Sequence, residues 1–213
     1  MTGEVVTEQF GFDGGRAVSA FVPSAPVEAV VFCGDGQLIP HWGADLVGND
    51  VPATMVVGVH RHPGEEARLH EYSPGFAPER FSAHESFLLG EVTDWVRARF
   101  GADLPAERMA ACGVSASGEL ALALGLRHPD RFGAVLSASP GGGFRPPDPM
   151  PDRLPRTYLV AGTEEPFFLE NARRWGDALT AAGADVVLTE RPGTHGDPFW
   201  RAELPLMVRW AFA

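Results

Sequence analysis

Apolar and polar positions along the chain fall into two rhythms. Residues 4–10 (EVVTEQF) and 16–22 (RAVSAFV) alternate, the period of a strand with one covered face. GFDGG joins them, so the two read as a hairpin. Residues 28–34 (EAVVFCG), 54–59 (TMVVGV), 108–114 (RMAACGV), 132–139 (FGAVLSAS) and 156–162 (RTYLVAG) are short apolar runs, as in parallel strands buried on both faces. Residues 184–190 (ADVVLTE) close the series. The second rhythm is helical. Over 79–100, Phe87, Leu88, Val92, Trp95, Val96 and Phe100 share one stripe. Residues 117–129 are rich in helix formers and stop at Pro129. Residues 169–183 end on glycine, and 198–212 make a last helix with Pro205 as a point of kinking.

A hairpin followed by alternating strand and helix predicts a three-layer α/β sandwich. Its central sheet is mostly parallel, with antiparallel N-terminal strands. The stretch 140–155 (PGGGFRPPDPMPDRLP) is too proline-dense for regular structure. It reads as a surface loop near the site, because too little chain follows it for a second core. Residues 1–213 are therefore expected to form a single domain without a large lid, and only this loop and the segment around 60–80 could cover a site.

Composition narrows the function. With 213 residues, 45% hydrophobic and 10% aromatic, the chain can bury a sizeable core. Its net charge of −11 argues against nucleic acid and anionic membranes as partners, since phosphate binding needs a basic face. No run reaches the roughly 18 apolar residues of a membrane span, and no signal-peptide pattern opens the chain. The two cysteines, Cys33 and Cys112, lie inside apolar runs, which suits core thiols in a reducing, cytoplasmic compartment. The 7 histidines form no metal-ligand spacing, and nothing calls for a metal or cofactor.

The chemistry concentrates at residues 111–120, ACGVSASGEL. A strand ending in CGV meets a helix starting near SGEL, with two serines at the junction. A nucleophile elbow has this layout: a tight turn lifts a serine out, and the next amides face the reacting oxygen. The crowded turn requires small residues two before and two after the nucleophile. Around Ser115 these are Gly113 and Ser117; around Ser117 they are Ser115 and the bulky Glu119. Ser115 is the better candidate, although Ser117 stands where G-x-S-x-G has glycine. The bland alternative is a helix N-cap at Ser115. Chain order favours the elbow, because an α/β-hydrolase places serine, acid and histidine in that sequence. The strand over 156–162 runs into TEEP, with Glu164 and Glu165, and the strand over 184–190 is followed by RPGTHGDPFW, with His195. All three loops fall at the carboxyl edge of the sheet, where catalytic groups collect. For His195 the alternative is an exposed loop histidine.

Five segments carry a family resemblance through most of the chain: FCGDGQ (32–37), RLHEYSPG (68–75), GVSASGELALALGLRHPDRFGAVLSASPG (113–141), AGTEEPFFLENARRW (161–175) and PGTHGDPFWRAELP (192–205). The sequence resembles the esterase D / enterochelin-esterase group of α/β-hydrolases, which includes feruloyl esterases. The resemblance implies Ser115 as nucleophile, Glu165 as acid, with Glu164 the competitor, and His195 as base. It places the DGQ turn, Asp35, Gly36 and Gln37, beside the oxyanion hole, where an amide near Gly36 or Gln37 would join that of Ala116. The departures are Ser117 in place of glycine and glutamate where aspartate is frequent. His41 and Trp42 follow the turn and are candidates to line the substrate pocket, with plain core the alternative for the tryptophan. Arg68 and Glu71 are read as a structural ion pair under the site loop, with substrate contact the alternative. His60 and His62 sit on the same edge without a spacing that demands chemistry. The function implied is a serine carboxyl-ester hydrolase acting on a small-molecule ester: siderophore-type, feruloyl or acetyl sugar, bulky or extended more than small, with a small thioester also open. An acyltransferase on the same scaffold and a non-catalytic binding protein are the competing readings.

Overall fold

The computed structural model describes residues 2–213. Strands β1 (Gly3–Phe10) and β2 (Arg16–Pro23) form the expected hairpin, in register from Gly3↔Pro23 to Phe10↔Arg16. Six strands follow: β3 (Ala29–Cys33), β4 (Thr54–Val59), β5 (Met109–Val114), β6 (Ala134–Ala138), β7 (Arg156–Gly162) and β8 (Val186–Arg191). They make one sheet in the order β1-β2-β4-β3-β5-β6-β7-β8. β2 meets β4 antiparallel, and every pairing from β4 to β8 is parallel.

Both faces of the sheet are covered, which is why its strands read as continuous apolar runs. In β3, Val30 and Phe32 enter one apolar layer and Ala29, Val31 and Cys33 the other. The first layer is closed by α2 (Pro78–Phe87), α3 (Thr93–Phe100), α4 (Ala116–Arg127) and α5 (Pro166–Ala181), after the short helix α1 (Glu65–Tyr72). The second is closed by a 3₁₀ segment, Ile39–Leu46, and α6 (Asp197–Phe212), which contains Pro205.

The departures from the sequence pattern have local causes. β2 is buried on nearly every residue instead of alternating, because it lies between β1 and β4 under the 3₁₀ segment. The helical stripe over 79–100 is interrupted by a π-turn, Leu88–Val92, where the Thr93 hydroxyl donates to the Leu88 carbonyl at 2.9 Å. Helix α1 has no pattern-based precursor: half of EEARLHEY is charged, and its helicity depends on what it packs against. Cys33 and Cys112 are in-register neighbours on β3 and β5, buried and reduced. No helix among the described residues is long and apolar enough to cross a membrane. The parallel strands bring Asp35, Ser115, Ser139, Glu165 and His195 to one edge, each within a few residues of its strand's carboxyl end.

Candidate active site

Ser115 joins β5 to α4 with φ 57° and ψ −125°, a region a non-glycine residue occupies only under constraint. The crowding expected of this turn is present. A Cβ on Gly113 would lie 1.8 Å from the Ser117 carbonyl oxygen, so no larger residue fits there. The two serines have different environments. Ser115 is partly exposed, and its Oγ lies 3.0 Å from His195 Nε2. Ser117 is 0% exposed. Its hydroxyl donates to Asp35 Oδ2 at 2.7 Å, shared with the Val114 carbonyl at 2.8 Å, and accepts the Val114 N–H at 2.9 Å.

His195 Nδ1 lies 2.6 Å from Glu165 Oε2. Glu165 Oε1 accepts the Ser139 hydroxyl at 2.5 Å and the Gly162 N–H at 2.6 Å. Burial pushes the Glu165 carboxyl up, and the hydrogen bonds from His195, Ser139 and Gly162 outweigh it, holding the group below its ordinary value. Glu164 is exposed. The residue before Pro166 is barred from helical geometry, and Glu165 takes φ −126° and ψ 68° at the head of α5. The imidazole is held on two sides: Phe168 stacks on it at 3.5 Å between centroids, 18° from parallel, and Trp200 meets it edge-on at 4.7 Å. Trp200 Nε1 also donates to the Ser139 hydroxyl at 2.9 Å. Ser139, Phe168 and Trp200 were not legible as site residues. The one available signal was that each neighbours a strand end or the histidine loop.

At the DGQ turn, the Gly36 N–H donates to the Val59 carbonyl at 2.8 Å. The expectation of Gly36 as an oxyanion donor is therefore corrected: its amide is spent on the turn. Among the described residues, the Gln37 and Ala116 amides have no backbone partner.

Ser115 and Ala116 open onto a cleft of ≈ 470 Å³ bordered by Arg68, Leu69, Phe76, Glu119, the glycines 141–143, Arg145, Phe167 and Phe168. His41 and Trp42 do not line it. Trp42 is 3% exposed in the apolar layer beneath the sheet, because the 3₁₀ segment turns it inward, and His41 faces solvent. Glu119 is buried under the glycine segment, where it accepts the Gly143 N–H at 3.1 Å; burial raises its pKa. The expected Arg68–Glu71 pair does not form. Arg68 binds Asp35 through Nε at 3.3 Å and Nη2 at 3.1 Å, while Glu71 is clamped by Arg16 and Arg80. On α1 the two side chains are three residues apart, and the partners brought in by β2, α2 and the DGQ turn decide the pairing. His60 is held by Ser19 at 2.8 Å, away from the serine.

A doubly covered, mostly parallel sheet with a serine on a strained strand-to-helix turn and a histidine–carboxylate pair beside it defines an α/β-hydrolase. Residues 47–211 match the family model Esterase, described as "Putative esterase". The chain belongs to that family and is an esterase, a hydrolase of carboxyl esters. A search of curated proteins returned no match. Among solved structures, the enterobactin esterase of Shigella flexneri in the presence of enterobactin is 20% identical with a TM-score of 0.81, covering 100% of this chain and 59% of that one. A ferulic acid esterase from the anaerobic fungus Anaeromyces mucronatus is 15% identical with a TM-score of 0.73, covering 99% and 90%. The S-formylglutathione hydrolase of Staphylococcus aureus is 12% identical with a TM-score of 0.74, covering 100% and 99%. At these identities the likeness is one of fold.

Proposed function

We propose that the chain hydrolyses its ester through an acyl-enzyme on Ser115, with His195 as base and Glu165 as the acid that orients it. The observation carrying this reading is the unbroken link Ser115 Oγ–His195 Nε2 at 3.0 Å and His195 Nδ1–Glu165 Oε2 at 2.6 Å on a strained turn. His195 Nε2 takes the Ser115 proton as Oγ bonds to the carbonyl carbon. The carbonyl oxygen becomes an oxyanion facing the Ala116 and Gln37 amides. His195 then gives its proton to the alcohol oxygen as the C–O bond breaks. Water repeats the sequence: it loses a proton to His195, adds to the acyl carbon, and the acid leaves as Ser115 regains its proton. Glu165 stays ionised throughout and fixes the imidazole tautomer.

The substrate side of the reading is an ester with an aromatic or extended apolar group. Four large hydrophobic residues are exposed among the described residues, and three of them, Leu69 (36%), Phe76 (51%) and Phe167 (56%), border this one cleft. Such clustering marks a binding surface. It favours feruloyl or siderophore-type esters over acetyl sugars, in keeping with the ferulic acid and enterobactin esterases that share the fold.

The test is p-nitrophenyl acetate hydrolysis together with labelling by a serine-reactive phosphonate. Ser115→Ala abolishes labelling and lowers kcat by at least about 10³-fold. Labelling that survives Ser115→Ala and is lost in Ser117→Ala overturns the assignment.

A further inference from the structure

Ser117 is the chain's departure from the G-x-S-x-G elbow, and its hydroxyl is fully engaged. We propose that Ser117, together with Asp35, is a positioning residue that fixes the spacing between the two amides facing the oxyanion. This rests on the reading of Ser115 as nucleophile.

The two amides come from different parts of the chain. Ala116 follows β5, and Gln37 follows β3. These strands pair as far as Cys33↔Cys112, and beyond that point the sheet ladder no longer holds one segment against the other. The Ser117–Asp35 hydrogen bond, 2.7 Å long and wholly buried, spans the gap. It is anchored at both ends. On the elbow side, Ser117 Oγ also accepts the Val114 N–H at 2.9 Å, tying the last residue of β5 to the first turn of α4. On the other side, Asp35 is 2% exposed, sits at φ 50°, and receives two N–H groups of Arg68 on its carboxylate. Its own N–H donates to the Tyr72 hydroxyl at 2.7 Å.

The peptide groups around Gln37 are hydrogen-bonded within the turn or to β4. The Leu38 and Ile39 N–H groups donate to the Asp35 carbonyl at 2.8 and 3.1 Å, and Gly36 donates to Val59. Gly36 is packed so closely that a Cβ would lie 2.0 Å from the Gly58 carbonyl oxygen. Every amide of this turn except Gln37 is committed, and the Asp35 carboxylate is the point at which the turn is fastened to the elbow. A glycine at 117 keeps the elbow's shape and loses the fastening. Because such donors must meet the transition state at hydrogen-bond distance, a displacement of about 1 Å costs on the order of 10²-fold in rate.

The experiment uses the purified full chain as Ser117→Ala, Ser117→Gly, Asp35→Asn and the Ser117→Ala/Asp35→Asn double variant. Active sites are titrated with the phosphonate, so that kcat counts only folded, labelled enzyme. Affinity for an aryl boronic acid, which mimics the tetrahedral intermediate, is measured beside KM for p-nitrophenyl acetate. The expected result is a fall in kcat per titrated site of about 10–100-fold, with KM within about twofold. The boronic acid weakens by the same factor as kcat/KM, and the double variant is no slower than the worse single one. A merely structural loss lowers the number of titrated sites and leaves kcat per site alone. Wild-type kcat per site in both Ser117 variants overturns the proposal, as do single-variant factors that multiply in the double. Ser117→Gly keeps the test open if Ser117→Ala does not fold. With Ser115→Ala run alongside, an inactive Ser115→Ala and fully active Ser117 variants overturn the positioning role alone. An active Ser115→Ala overturns the nucleophile reading on which it rests.

Discussion

Replacing Glu165 by glutamine tests the assignment of the acid with an almost isosteric change. The carboxylate uses Oε1 for the Ser139 hydroxyl and the Gly162 N–H, and Oε2 for His195 Nδ1. Glutamine offers one oxygen and one NH₂ group. The Gly162 amide can only donate, so the glutamine oxygen stays on that side and the NH₂ turns to His195. Nδ1 must then accept, which moves the ring proton to Nε2. That nitrogen lies 3.0 Å from Ser115 Oγ and would present a hydrogen where the mechanism needs a lone pair. The base is lost while the fold keeps nearly all its contacts. The same carboxylate-to-amide exchange in a Ser-His-Asp protease costs about 10⁴-fold in kcat, equivalent to about 5 kcal/mol of barrier. Glu165 does not border the cleft, so KM should change little. Steady-state hydrolysis of p-nitrophenyl acetate by Glu165→Gln measures this, with Glu164→Gln as the control that keeps wild-type kcat because that side chain is exposed. A Glu165→Gln enzyme within tenfold of wild type refutes the tautomer argument and the role of the carboxylate.

Two further outcomes follow from other parts of the molecule. His84 is completely buried with neither ring nitrogen partnered, and burial pushes its pKa down to about 4; Glu71 and Asp35 favour its charged form, and Arg16 and Arg80 oppose it. An unfolded histidine takes up its proton near 6.5, so the unfolded chain binds more protons between 6.5 and about 4, and stability falls as pH drops through that window. Urea unfolding should show about 2 kcal/mol lost to this residue between pH 7 and 5, a loss that His84→Phe removes; equal pH slopes in the two proteins would refute it. Phe167→Ala should raise KM for a methyl ester of an aromatic acid by about 5–10-fold and leave that for ethyl acetate, which carries no ring, nearly unchanged, and a uniform change in both argues against the aromatic rim as the substrate's seat.

Local pattern determined much of this protein. Buried parallel strands must be apolar on both faces, so β3 to β7 announced themselves as unbroken runs, and the hairpin's alternation and its GFDGG turn fixed the antiparallel start. The nucleophile candidate was legible because a crowded turn restricts residue size at fixed offsets, as the 1.8 Å approach at Gly113 bears out. The order of the proposed serine, acid and histidine was legible because the parallel topology sends successive strand ends to one edge. Tertiary structure alone decided what depends on partners distant in the chain. Arg68 is three residues from Glu71, yet binds Asp35, 33 residues away, because α1 packs that face against the DGQ turn. Gly36 is excluded as a donor by the Val59 carbonyl at the end of β4, and Trp42 is drawn into the core by the sheet above it. The hydrogen bonds of Ser139, the stacking of Phe168 and the fastening of Ser117 to Asp35 join residues 26 to 82 positions apart. A hydrogen bond or an aromatic contact leaves no periodicity in the sequence, since its second member is chosen only when the strands and helices have taken their places.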